Sequence, residues 1–425
     1  MSQTFNINLL DEAELELLRH VTDPLADETI TAIISSGYEA KINEVFMTLV
    51  SNDSFDSSTF SHFDDALAAP LNLYFKKSSV LPDWADCDLI NQGEKTFSQY
   101  GPEIFMLLNV SALPMCYTCA KGAHVLFRTG RLLEHNNDID PLARRLMETA
   151  QMIMNVLSEG GLAAGAGGKG IVTIQKVRLI HASIRYYLKH SKTGWDESTY
   201  GEPINQEDLA GTLMSFGPVI LNGLLKLGTP MSETQKNAYM HCWKVVGFLM
   251  GIDEKLLPDT YEQGFELANK ILKHQAKPSE EGTALTQSCI NFINYILPGN
   301  AFDKVPVFLM DYFLSSFTAS SSIDLQNCIG VKSDENLKDK IVLSISRIIS
   351  KDLGQLEKSR LVQQIIKPFN NLLLKSIIHH YNYGKSVHFF IPPSLQSNWG
   401  ISNEWINHLE TPSIGKNRLV WQKQK

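Results

Sequence analysis

The chain is short of positive charge, of cysteine and of long apolar runs. Its 425 residues carry 38 Lys and Arg against 46 Asp and Glu, a formal net charge of -8. Such a balance builds no broad cationic surface for phosphates, which argues against a nucleic-acid partner. Six cysteines in 425 residues are too few for a disulfide scaffold, and reduced thiols in the cytoplasm are the expectation. Cys116 and Cys119 form a CxxC, but it has no second pair and no strand–helix–strand surroundings, so it reads as helix packing. The N-terminus lacks a basic stretch followed by a long apolar core, which is not the pattern of a secretory signal. No run of about 18 uninterrupted apolar residues occurs, so no membrane span is expected. The nearest candidate, Phe369 to Pro393, is broken by Lys375, two histidines and Lys385. Alternation of period two never lasts beyond a few residues, and this predicts an all-α protein.

Hydrophobic residues make up 44% of the chain, enough for a substantial core. Apolar positions recur at three and four over Asp11–Arg19, Tyr38–Leu49 and Tyr100–Leu133. Asp140 with Pro141 opens a helix that runs to about Ser158 and stops at Gly160-Gly161. Asn205 with Asp208 opens Asn205–Phe216, and Ser232 with Gln235 has the form of a capping box for Ser232–Met250. Pro258 with Asp259 begins another helix, whereas the polar stretch Lys277 to Thr283 reads as a surface loop or hinge. The glycine-rich run Gly160 to Gly170 tempts a phosphate-loop reading. It fails, because Gly168-Lys169 is followed by glycine and a helix precedes it where a strand is needed. A closely packed turn between two helices is the better reading.

The stretch Lys176 to Tyr187 carries the most chemistry. Val177, Arg178, His181, Ile184, Arg185 and Leu188 fall on one helical side. Polar groups on an apolar face need partners. One reading is a hydrogen-bonded core histidine. The other is a single imidazole that takes the iron of a haem while the guanidinium groups take its propionates. The preceding helix places Arg145 and Thr149 four apart beside Leu142, Leu146, Ile153 and Val156. This is either a snorkelling arginine or a polar spot in an apolar cavity. His241, on an apolar helix, reads as a core or surface histidine. A di-iron bundle needs two Glu-x-x-His pairs, and the two inner helices carry none.

Five segments in series carry a resemblance. They are Arg144 to Ala150, the glycine turn, Lys176 to Ala182, Glu202 to Leu209 and His241 to Gly247. Together they resemble the rubber oxygenase (latex clearing protein) catalytic domain family, which includes the fungal oxygenase that cleaves a farnesyl chain in mycophenolic acid biosynthesis. The likeness covers roughly residues 60 to 310. It implies a large single helical domain with a globin-like core holding haem b, with residues 1–59 as an N-terminal helical extension and 311–425 as a helical region packed on the core. It implies oxidative cleavage of isoprenoid double bonds by dioxygen. It implies His181 as the proximal iron ligand, Arg178 and Arg185 as its flanking cofactor-binding arginines, Arg145 and Thr149 as the catalytic pair on the distal side, and Thr212 near the pocket. This chain departs from the family at Glu148, where the best-known members have a lysine, and at Arg128-Thr129-Gly130-Arg131, which supplies no acidic base. With no export signal read from the sequence, a small hydrophobic isoprenoid or lipid is the expected substrate. An oxygenase and a non-catalytic haem-binding or gas-sensing protein both fit these residues.

Overall fold

A computed structural model of the chain describes residues 5–38, 41–52, 54–56, 58–129, 140–163, 168–297, 303–331 and 373. The expected C-terminal helical region lies outside the described residues beyond 331, apart from 373, and so does most of the Phe369 to Pro393 stretch.

The helices run in the order α1 Glu12–Leu18, α2 Pro24–Ile33, α3 Ile42–Ser51, α4 Asp65–Ser78, α5 Cys87–Leu107, α6 Leu113–Thr118, α7 Ala120–Thr129, α8 Asp140–Leu157 and α9 Lys169–His190. They continue with α10 Glu197–Tyr200, α11 Gln206–Phe216, α12 Pro218–Lys226, α13 Glu233–Leu249, α14 Tyr261–Gln275, α15 Glu280–Ile296, α16 Val305–Ser321 and α17 Leu325–Cys328. Among the described residues there is no strand, only an isolated bridge between Cys119 and Ala276, so the fold is all-α.

Short polar side chains start these helices. Asp11 accepts from the Glu14 amide, Asn205 from the Asp208 amide, and Ser232 with Gln235 forms a complete capping box. The helix expected at Pro258 starts later, at Tyr261. Thr260 and Gln263 exchange side-chain-to-amide bonds there, a reciprocal cap that the nearby proline obscured. The polar stretch at 277 to 283 is also a helix start rather than a loop, because Ser279 caps α15 by accepting from the Gly282 amide. The periodic segment Tyr100–Leu133 is not one helix. Cys119 adopts an extended conformation between α6 and α7, and residues 130–133 lie outside the described residues.

The chain forms two compact units. The first comprises Met1–Phe97, Met152–Pro218 and Ser232–Gln275; the second comprises Ser98–Gln151, Val219–Met231 and Ala276–Lys425. α16 runs through position 310, so the expected boundary there falls inside a helix.

In the first unit, α9 packs against α2, and α2 against α4. Ile30, Ile33, Leu67, Leu71, Leu179 and Ala182 meet in that core. Burying such side chains stabilises the unit by roughly 1.5–3 kcal/mol each. The glycine run lets α8 and α9 nearly touch. A Cβ on Gly170 would lie 2.6 Å from the Gly161 carbonyl oxygen and 2.8 Å from Val156 Cα. In the second unit, the Lys277 amide donates to the Thr118 carbonyl, and Tyr117 with Cys289 lies in the core between α6 and α15. One stretch, Gln206–Lys226, is apolar and long enough to cross a membrane by composition, and 78% of its apolar window is buried inside the protein.

Candidate functional site

The face expected to carry His181 between two buried arginines divides in two. Arg178 and Arg185 are buried beside Leu179 and Ala182, while His181 is half-buried with Val177, Ile180 and Ile184. Spacings of three and four place these last four residues in one stripe. The result is an imidazole in the middle of an apolar helix face that the rest of the chain covers only in part.

The arginines are held by α2. Arg178 donates through Nε and Nη2 to the Asp23 carboxylate at 2.5 and 2.7 Å, and through Nη1 to the Leu249 carbonyl at 3.0 Å. Burial opposes its charge, but the hydrogen bonds and charge of Asp23 outweigh this and hold its pKa above the ordinary value. All three nitrogens are therefore engaged within the protein. Gly251 (φ 83°) makes room for this arrangement, since a Cβ there would sit 2.7 Å from Arg178 Nη2.

Arg185 differs. Its Nε donates to Asp27 at 2.7 Å and its Nη1 to the Ile204 carbonyl at 3.2 Å. Its Nη2 is buried with no hydrogen-bond partner among the described residues. Ile204 holds φ at 53°, the left-handed region, which costs a β-branched residue about 1–3 kcal/mol.

The Glu202 to Leu209 segment is a structural hub. Gln206 donates to the carbonyls of Thr22 and Gly251 and accepts from the Asp253 amide. Arg19, fully buried, donates to Glu207 at 3.2 Å, Asp208 at 2.9 Å and the Tyr200 carbonyl at 2.6 Å. His274 and Gln275 also reach Glu207, whose pKa burial raises even against these partners. α9 is further tied to α4, where the Gln175 amide donates to the Phe75 carbonyl and the Ser78 hydroxyl, and Tyr74 donates to the Gln175 carbonyl.

Thr212 lies on the outer side of α11. It is exposed, and its hydroxyl donates to the Asp208 carbonyl of its own helix at 2.9 Å. The pattern of three and four could not assign it a face, because Leu209, Leu213 and Phe216 turn inward instead. Thr149 is half-buried on α8, in the second unit, and Arg145 belongs to the same helix. Glu148 is exposed, and Leu146, Ile153 and Leu213 are core residues.

The glycine turn does bind an anion, one from this chain. The amides of Gly160 and Leu162 donate to the Glu94 carboxylate at 2.9 and 3.4 Å, while burial raises its pKa. His241 is a cap: its Nε2 accepts from the Asp86 amide at 2.9 Å, at the start of α5, beside Trp84. Burial and the neighbouring Lys244 hold its pKa below the ordinary 6.5, against the pull of Asp86 and Asp259. A lowered folded value means the contribution is complete above pH 6.5 and is lost as pH falls from there through the lowered value. Wild type should thus lose about 1 kcal/mol between about pH 7 and 5 that His241→Gln, which keeps an acceptor but does not titrate, retains. Thermal melts across that range check this; parallel slopes for the two proteins would refute it.

Asp23, Asp27, Ile204 and Glu94 were not singled out from the sequence. Asp23 directly before Pro24 looks like a cap, which it also is. Its pairing with an arginine so far along the chain leaves no local signal.

Among the described residues, no group of three or more His, Cys, Asp or Glu side chains could hold a bare metal ion. A porphyrin-held iron needs only one protein ligand. The fold is thus all-α, and α9 carries a half-buried imidazole on an apolar stripe. A family described as ER-bound oxygenase mpaB/B'/Rubber oxygenase, catalytic domain, matches residues 98–320, more than half of the chain, and the chain belongs to that family. It is similar to the rubber oxygenase of Streptomyces sp. (strain K30), 22% identical over 277 residues, which span 64% of this chain and 64% of that relative. Its fold is similar to that of latex clearing protein LCP in the closed state, with a TM-score of 0.66 and 17% identity over 88% of this chain and 94% of that one.

Proposed function

We propose that this protein is a haem b-dependent oxygenase that uses dioxygen to cleave or oxygenate a carbon–carbon double bond of a small unsaturated isoprenoid or lipid. The observation that carries the reading is the half-covered apolar stripe around His181 on α9. Membership of the oxygenase family supports the reaction class. The residues fit the cofactor: His181 is the ligand type a haem iron takes, and four residues along the same helix Arg185 has a buried, unpartnered guanidinium nitrogen suited to a carboxylate.

When bound, the haem supplies the iron chemistry that makes dioxygen reactive toward an alkene. His181 holds the group in place and, through its other nitrogen, fixes its own tautomer. Val177, Ile180 and Ile184 exclude water around the imidazole. Cleavage breaks one carbon–carbon double bond and leaves one oxygen atom on each carbon, so each dioxygen yields two carbonyl groups and no further reductant is needed. All six cysteines are free thiols, which supports a reducing compartment, the cytoplasm.

Oxygen uptake by the haem-loaded protein with squalene as probe tests the proposal. The expected result is uptake that depends on squalene, with label from ¹⁸O₂ in both carbonyl products. Haem-loaded protein that consumes no oxygen with any isoprenoid would contradict it and leave a non-catalytic haem protein.

A further inference from the structure

We infer that Cys116 and Cys119 are a redox-active dithiol, a modification site at which a small disulfide such as glutathione disulfide joins the two sulfurs across the break between α6 and α7. The inference is independent of the haem reading. As sequence the pair reads as helix packing, but the structure places it where one helix stops and the next begins. α6 ends at Thr118, Cys119 is extended (φ -79°, ψ 93°), and α7 starts at Ala120. The Cys119 amide donates to the Cys116 carbonyl at 3.2 Å, which closes a four-residue turn. The end residues of such a turn have Cα atoms less than about 7 Å apart. A disulfide bridges Cα atoms about 4.4–6.8 Å apart. Because the chain leaves the helical path at Cys119, the new bond bends no continuous helix.

Access separates this pair from the other cysteines. Cys242, Cys289 and Cys328 are buried, and Cys87 is exposed but has no cysteine near it in the chain, whereas Cys116 and Cys119 are half-buried neighbours. In a reducing compartment such a pair is catalytic or redox-sensing rather than structural. The joint also holds the start of α15. The Thr118 carbonyl accepts from the Lys277 amide at 3.1 Å, Cys119 pairs with Ala276 in the isolated bridge, and a Cβ on Gly282 would lie 2.4 Å from the Tyr117 carbonyl oxygen. A bond between the two sulfurs therefore stiffens the backbone on which α15 begins. In the exchange, one cysteine thiolate attacks a sulfur of glutathione disulfide and expels one glutathione thiolate. The second cysteine gives up its proton, attacks the mixed disulfide and expels the other glutathione. The protein loses two electrons and two protons, and one glutathione disulfide becomes two glutathione thiols.

The test incubates the folded full chain with glutathione disulfide, blocks the remaining thiols and reads the cysteines by mass spectrometry. The tryptic peptide ending at Lys121 carries both residues. In wild type it should emerge two hydrogens lighter with no glutathione attached. Cys116→Ser and Cys119→Ser should each trap one glutathione on the cysteine that remains. Oxidation of wild type should also slow hydrogen exchange at the Lys277 amide by about tenfold, the scale of constraint from closing so short a loop, and leave it unchanged in Cys116→Ser. A glutathione adduct that persists on the wild-type pair, thiols that stay reduced, or exchange at Lys277 that oxidation does not move would overturn the inference. The wild-type peptide decides the matter whether or not either variant folds.

Discussion

Replacing His181 with alanine is expected to abolish haem retention while the protein still folds. His181 is half-buried on an apolar stripe, and the ties of α9 to the rest of its unit run through other residues: Gln175 to α4, Arg178 and Arg185 to α2, and Leu179 with Ala182 in the core. Alanine is the better helix former. The haem-free variant should therefore melt within about 1 kcal/mol of haem-free wild type. Haem affinity should fall by more than roughly a hundredfold, since loss of even an outer partner of a metal ligand costs up to that much. Added imidazole should restore part of the bound-haem absorption. Titration of both apoproteins with haemin, followed by absorption, measures this. A variant that binds haem as tightly as wild type would show that another residue holds the iron.

Asp23→Ala should cost about 3–5 kcal/mol of stability, the usual penalty for stranding a buried charge. The change leaves two nitrogens of Arg178 without acceptors and retains only the Leu249 carbonyl. It also removes the side chain that caps α2 by accepting from the Ala26 amide. The guanidinium has no room to move toward Gly251, where even a Cβ would clash with it. Asp23→Asn keeps one acceptor and the cap and should cost less. Replacing both partners with leucine and methionine should recover most of the loss, because an apolar pair strands no charge. Denaturant midpoints of the haem-free proteins give the numbers. An Asp23→Ala variant as stable as wild type would mean that this ion pair does not hold α9 on α2.

Much of the fold was legible because helices announce themselves locally. The caps at Asn205 and Ser232 are short side chains acting within one turn, and each forms as its spacing predicts. Where two start signals compete, the hydrogen bonds decide. Thr260 with Gln263 outweighs Pro258, and Ser279 makes a helix of a stretch polar enough to pass for a loop. The candidate site was legible as a helix and a set of side chains, but their partners were not. Arg178 and Arg185 do belong on a buried face, but the acids that take them lie more than 150 positions earlier, and periodicity carries no information about contacts at that range. The same limit applies to the glycine turn, whose anion is Glu94 rather than a phosphate, and to Thr212, whose face depends on which neighbours α11 meets.

The most direct measurement is the absorption spectrum and pyridine haemochrome of wild-type protein purified from cells supplied with haem precursor. The account predicts a coloured protein holding one non-covalent haem b per chain, removable by acid extraction, with little or none in His181→Ala. Wild type that emerges colourless, and stays so after incubation with haemin, would contradict it.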